Sequence, residues 1–150
     1  MAKNRYKNGG DNRDGGTFVA LPHTVLESPA LTALSPHGHK LLIDLMAQYR
    51  GNNNGDLCAA WKLMQPRGWR SEATLNKAKK ELIRVGLIVE TRKGARPNKA
   101  TLYALTWFAL DYCNGKLDIA EKGFNRRAYL LYKPTPDGAL PTTPAVAVDP

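Results

Sequence analysis

Between residues 61 and 100 the chain carries eleven basic side chains against three acidic ones, and this one window supplies nearly all of the net charge of +9. Lysines spread for solubility would not concentrate in this way, so the cluster is the electrostatic footprint of a polyanionic partner. Inside it, Arg70, Ser71, Ala73, Thr74, Asn76, Lys77 and Lys80 recur at spacings that gather them on one side of a helix. Arg92, Lys93, Arg96, Asn98 and Lys99 flank or occupy a turn. The chemistry these types support is recognition: Arg and Lys pair with phosphate oxygens or with the O6/N7 edge of guanine, and Asn pairs two-fold with adenine.

Bond-making chemistry has no comparable footing. The chain contains no G-x-S-x-G, no P-loop and no G-x-G-x-x-G, so neither nucleophilic catalysis nor nucleotide binding is expected. His37 and His39 sit two residues apart, which on a helix points them in different directions, and His23 is remote in sequence. Asp44 lies in an apolar stretch without an acidic partner. Cys58 and Cys113 lack the spacing of a zinc or redox pair, and they read as reduced, buried small hydrophobes. The expectation is a protein with no metal, no cofactor and no enzymatic activity.

The elements that must position the basic residues follow from the hydropathy pattern. Residues 1–16 are polar, rich in Gly and Asn, and are expected to form a disordered basic tail. Residues 134–150 hold five of the ten prolines and are expected to form a second disordered tail. Residues 17–133 form the domain between them. After an extended segment at 17–21, Pro22 opens a short helical segment and a second turn follows at 29–34. Ser35-Pro36 is a helix start, because Ser can cap free backbone N–H groups and Pro suits the first helical position. Leu41, Leu42, Leu45, Met46 and Tyr49 then give that helix one apolar face, and Gly-Asn-Asn-Asn-Gly at 51–55 ends it in a polar loop.

Residues 57–65 read as a strand turn and a short helix, terminated by Pro66. Arg67-Gly68-Trp69-Arg70 forms a turn, with Trp69 either anchored in the core or lying near a sugar-phosphate backbone. Trp61 and Trp107 are expected in the core. Ser71 caps the next helix, in which Leu75, Ala78, Leu82 and Ile83 should face inward. Glu72, Ala73, Asn76, Lys77 and Lys80 should face outward, with Thr74 and Lys79 at the flanks. Gly86 stands where a helix C-terminal glycine belongs. Residues 87–93 and 100–107 read as a hairpin, the second strand half-buried by its alternation, with residues 94–98 as the turn. Residues 108–133 should pack beside the hairpin as a short helix or irregular segment.

Helix, short helix, turn, capped helix and basic hairpin, in that order, describe a winged helix-turn-helix: an α+β, mainly helical fold with a C-terminal β-hairpin wing. In such a fold the N-terminal half of the capped helix enters a major groove, its free N–H groups can hold a phosphate, and Arg96 at the wing tip suits a minor groove. The competing reading of the wing cations is a solvated strand edge.

Pro66-Arg67-Gly68-Trp69, Ser71 and Ala78-Lys79-Lys80-Glu81-Leu82, together with residues 18–30, 97–107 and 115–120, resemble the helix-turn-helix proteins carried by proteobacterial phages, prophages and plasmids. The resemblance spans residues 17–120. It implies a winged-helix DNA-binding protein of a mobile element, acting either as a transcription regulator or as a replication initiator at an origin.

Three functions therefore stand open: a sequence-specific regulator binding double-stranded DNA, either alone or as a homodimer; an origin-binding protein that recruits a replication protein; and a winged-helix factor that targets a host protein. No apolar run approaches a membrane span and the N-terminus is no secretory signal, so the expected location is cytoplasmic, with the nucleoid.

Overall fold

The computed structural model describes residues 13–134. Most of the two expected tails, residues 1–12 and 135–150, therefore lies outside the described residues. Within them the chain is α+β. In chain order the elements are α1 (His23–Leu26), α2 (Pro29–Thr32), α3 (Pro36–Met46), β1 (Leu57–Cys58), α4 (Trp61–Met64), α5 (Glu72–Arg84), β2 (Ile88–Arg92) and β3 (Leu102–Leu105), followed by three short 3-10 turns. The strands form one antiparallel sheet in the order β1-β3-β2. This arrangement is compatible with a winged helix. No helix among the described residues is long and apolar enough to cross a membrane.

The helix starts follow local chemistry. The hydroxyls of Ser28, Ser35 and Ser71 accept from the backbone N–H groups of Leu31, Gly38 and Thr74 at 3.3, 3.2 and 3.2 Å, capping α2, α3 and α5. Gly86 ends the run after α5 at φ +81°. Its N–H reaches the Ile83 carbonyl and that of Leu87 reaches Leu82, both at 3.1 Å, while Leu87 and Leu82 are fully buried. This is a Schellman ending, with the paired backbone bonds that define it.

The core lies where α3 and α5 pack together over the sheet. Leu41, Leu42, Leu45 and Met46 meet Leu75, Ala78, Leu82 and Val85, with Leu57, Leu87, Ile88 and Leu105 below. Tyr49 is half-buried and stacks on Phe108, ring centroids 4.4 Å apart. The α3–α5 crossing is fixed by Glu81, whose carboxylate accepts from the Ser35 hydroxyl at 2.8 Å and from the Ser35 backbone N–H. A negative group thereby sits at the N-terminus of α3, where the helix dipole favours it. Gly38 is what lets it approach, since a Cβ there would lie 2.6 Å from Glu81 Oε1.

Several expectations need correction. Ile83 is 41% exposed rather than inward-facing. The buried stripe of α5 runs through positions 75, 78 and 82 to Val85, and residue 83 is a hundred degrees round the helix from residue 82. β3, the central strand, is not half-buried: Leu102, Tyr103, Ala104 and Leu105 are all buried, so both faces of the strand are covered. Trp61 is only partly buried at the core margin, and both cysteines are half-buried rather than buried. The 51–55 loop is not uniformly solvated either. Asn54 is fully buried, its amide donating to the Leu105 and Ala109 carbonyls at 2.9 Å and accepting from the Leu105 N–H at 2.8 Å.

Residues 108–134 are irregular and integral to the domain. Asp111 N–H bonds to the Asn54 carbonyl at 2.9 Å, Asp118 N–H to Thr91 at 2.8 Å and Arg127 N–H to Thr106 at 2.6 Å, while the Tyr129 side chain is buried. Asp118 also accepts from the Lys93 N–H at 3.1 Å. On the other side of the sheet, the Gln48 amide bonds both ways to the Cys58 backbone, at 2.7 and 2.9 Å.

Candidate nucleic-acid interface

The helix that presents the candidate residues is held by a clasp at the turn before it. Gln65–Arg67 forms a 3-10 turn, Gly68 takes φ +94°, and Trp69 then enters the core with 3% exposure. Its indole N–H donates to Asp44 Oδ2 at 2.7 Å, so of the two placements for Trp69 the core anchor is the one observed. Asp44 also accepts from Arg67 Nε at 2.7 Å and from Lys40 Nζ at 3.2 Å, and Lys40 donates to the Arg67 carbonyl at 2.7 Å. One buried carboxylate of α3 thus ties down both ends of the turn. Burial alone would raise the Asp44 carboxyl, but the hydrogen bonds from Trp69, Arg67 and Lys40, with the Lys40 charge, outweigh it and hold the carboxyl below the usual Asp range.

From this anchored start α5 divides cleanly. Leu75, Ala78 and Leu82 are buried, while Glu72, Ala73, Asn76, Lys77 and Lys80 are exposed, and Thr74 and Lys79 lie at the margins. Arg70 and Ser71 are exposed immediately before it. Lys79 donates to Asn76 Oδ1 at 3.2 Å on the exposed surface of the helix. Partial burial disfavours the charged ammonium and lowers the Lys79 pKa, against the opposing influence of Cys58 and Glu72. A cleft of about 160 Å³ borders the helix start, lined by His37, Lys40, Gly68, Trp69, Arg70, Ser71 and Thr74.

The hairpin tip is built just as definitely. Ala95 and Lys99 exchange two backbone hydrogen bonds of 2.8 Å, and Gly94 N–H donates to Thr101 Oγ1 at 3.0 Å. Lys93, Arg96, Asn98 and Lys99 are exposed on this tip. Arg92 differs from them. It is half-buried, and its Nε and Nη2 donate to the Ala100 carbonyl at 3.1 and 2.8 Å, so its guanidinium braces the hairpin from within. A bulge at Thr91, between the Glu90–Tyr103 and Arg92–Leu102 pairs, turns the Thr91 hydroxyl inward to the Gly55 carbonyl at 2.6 Å.

The structure therefore gathers Arg70 to Lys80 on one exposed helix face and Lys93, Arg96, Asn98 and Lys99 on one tip, with α5 in contact with β2 between them. It also exposes Lys62 on α4, a cation that no motif distinguished. The Asp44 clasp escaped sequence reasoning too. Its one signal was an acidic residue inside an apolar run four places after Lys40. Among the described residues no group of three or more His, Cys, Asp or Glu side chains is arranged to hold a metal ion. No family model, curated protein or solved structure matches the chain.

Proposed function

We propose that this chain is a winged helix-turn-helix protein that binds double-stranded DNA sequence-specifically, and that it regulates transcription within a phage or other mobile element. In this reading α4, the clasped turn and α5 are the helix-turn-helix, and β2–β3 is the wing. The N-terminal half of α5 enters the major groove, and Arg96 with its neighbours follows the backbone or the minor groove. The protein acts by binding, not by catalysis. The resemblance to helix-turn-helix proteins of proteobacterial mobile elements belongs to the same proposal.

The observation that carries the reading is the outward face of α5. Arg70, Lys77 and Lys80 have no ion-pair partner among the described residues, and Asn76 stands among them, on a helix whose other face is locked into the core. Side chains that only solubilise a helix do not need its start to be fixed by a buried carboxylate. A base-reading helix does, because each two-fold base contact, worth roughly 1–3 kcal/mol of discrimination, depends on alignment.

Selection of sites from a random duplex library, with affinity then measured at two salt concentrations, tests this. A recovered motif bound far more tightly than random duplex is the expected result. Salt-sensitive binding with no motif would reduce the basic face to general electrostatics and overturn the proposal.

A further inference from the structure

At the opposite end of α5 from its Ser71 cap, a second surface combines charge with apolar exposure. The 3-10 turn Ala128–Leu131 is seated there: a Cβ on Gly86 would lie 2.7 Å from the Ala128 carbonyl oxygen, and Arg127 N–H holds the Thr106 carbonyl at 2.6 Å. Tyr129 plugs the core beneath it, and the turn also touches α2. Yet the next two residues point away, with Leu130 57% and Leu131 70% exposed. Arg126, Arg127 and Lys133 are exposed around them and have no ion-pair partner among the described residues. Residues 122–134 carry four basic and no acidic side chains. Arg127 is held at φ +76°, a conformation uncommon for a residue with a side chain, to make this presentation.

We infer that this turn is a docking surface for a partner protein, which it takes through an acidic segment bearing apolar side chains. The turn is rigidly based, so its exposed leucines are not frayed core. Paired leucines bring nothing to a phosphate backbone, which separates this patch from the face of α5. A second copy of the chain docked symmetrically would set the same cations against each other. The chain's own residues 135–150 hold two acidic and no basic side chains, so covering the patch with them would leave its four cations half-compensated. An acidic, apolar segment of another protein meets both demands. The inference goes beyond the DNA reading: the variants Lys77→Ala, on α5, and Arg96→Ala, on the hairpin tip, separate the two.

The test is selection from a random-peptide display library on the full-length chain, followed by fluorescence anisotropy with the enriched peptides. The expected outcome is an acidic motif containing leucine or another large apolar residue. Its affinity should fall at least about tenfold in Leu130→Ser/Leu131→Ser and in Arg126→Gln/Lys133→Gln, both at exposed positions, and stay unchanged in Lys77→Ala and Arg96→Ala. Failure to enrich such a motif overturns the inference. So does parent-like binding by the two patch variants, or loss in Lys77→Ala and Arg96→Ala instead. Deletion of residues 136–150 that raises peptide affinity about tenfold assigns the patch to the chain's own end. Sedimentation with phosphatidylserine vesicles that the leucine variant abolishes assigns it to a membrane. Either result also overturns the partner protein.

Discussion

Asp44 illustrates how one residue type carries different meanings in sequence and in structure. An isolated carboxylate in an apolar run invites a question about catalysis. Its three donors instead make it the fixed point from which Trp69 and Arg67 are hung. The consequence can be measured through pH. The folded carboxyl titrates below its unfolded value of about 3.9, so its contribution to stability is complete above that value and is lost as pH falls through the folded one. Asp44→Asn removes the charge and one acceptor, and we expect it to lower stability by about 1–3 kcal/mol at neutral pH. Urea titrations across pH 2–7 should then show a shallower acid decline than in the parent. An unaltered decline would mean that other carboxylates govern it. Tyr103 sits at the other extreme: burial, then the Glu90 charge and Cys58, push its hydroxyl up to about 12.

At the level of elements, what could be read from sequence was what local chemistry decides. Ser35, Ser71 and Gly86 mark real helix ends because capping and left-handed backbone need only neighbours in the chain. The outward set Ala73, Asn76, Lys77 and Lys80 was legible because periodicity fixes it. Ile83, the burial of β3, the bulge at Thr91 and the role of Asn54 were not, since each depends on partners far along the chain. The alternation in β3 spoke for one buried face, and nothing in those residues announces that residues 108–134 close over the sheet. Two element-level outcomes are expected. Leu82→Ala should cost about 2–5 kcal/mol in chemical denaturation, as truncation of a fully buried leucine does. A near-silent result would mean that α5 is rotated from the orientation described. Gly86→Ala should lose at least about 1–2 kcal/mol from the left-handed backbone alone, because its φ is +81°. The Ala128 backbone leaves no room for the methyl group, so thermal denaturation should register the change clearly.

Viewed as a whole, the molecule carries one cationic surface along the outward face of α5, a helix of 13 residues, and a second beside Gly86, past the C-terminal end of that helix. A count over residues 101–150 hides the second, because five acidic side chains there balance five basic ones. A narrower window, residues 122–134, shows it in the sequence, and the fold adds that Arg126, Arg127 and Lys133 are exposed beside Leu130 and Leu131. For the proposed DNA interface the prediction concerns salt as much as affinity. Lys77→Ala and Arg96→Ala should each weaken duplex binding while leaving the melting temperature nearly unchanged, since both side chains are exposed. If either cation meets a phosphate, the slope of log affinity against log salt should shrink by about 1 on its removal. Parent-like binding by both variants would relocate the reading surface.

The hydrogen bonds that Gln48 makes with Cys58, and Asp118 with Thr91 and Lys93, have a consequence for crowding at high concentration. A small sheet usually leaves a row of main-chain donors and acceptors open, and such a row templates runaway stacking of one molecule on the next. Here a side-chain amide occupies the flank of β1, and Asp118 takes up main-chain groups at the end of β2. Fewer main-chain groups are thereby left open along these two edges, and strand addition there is expected to be disfavoured.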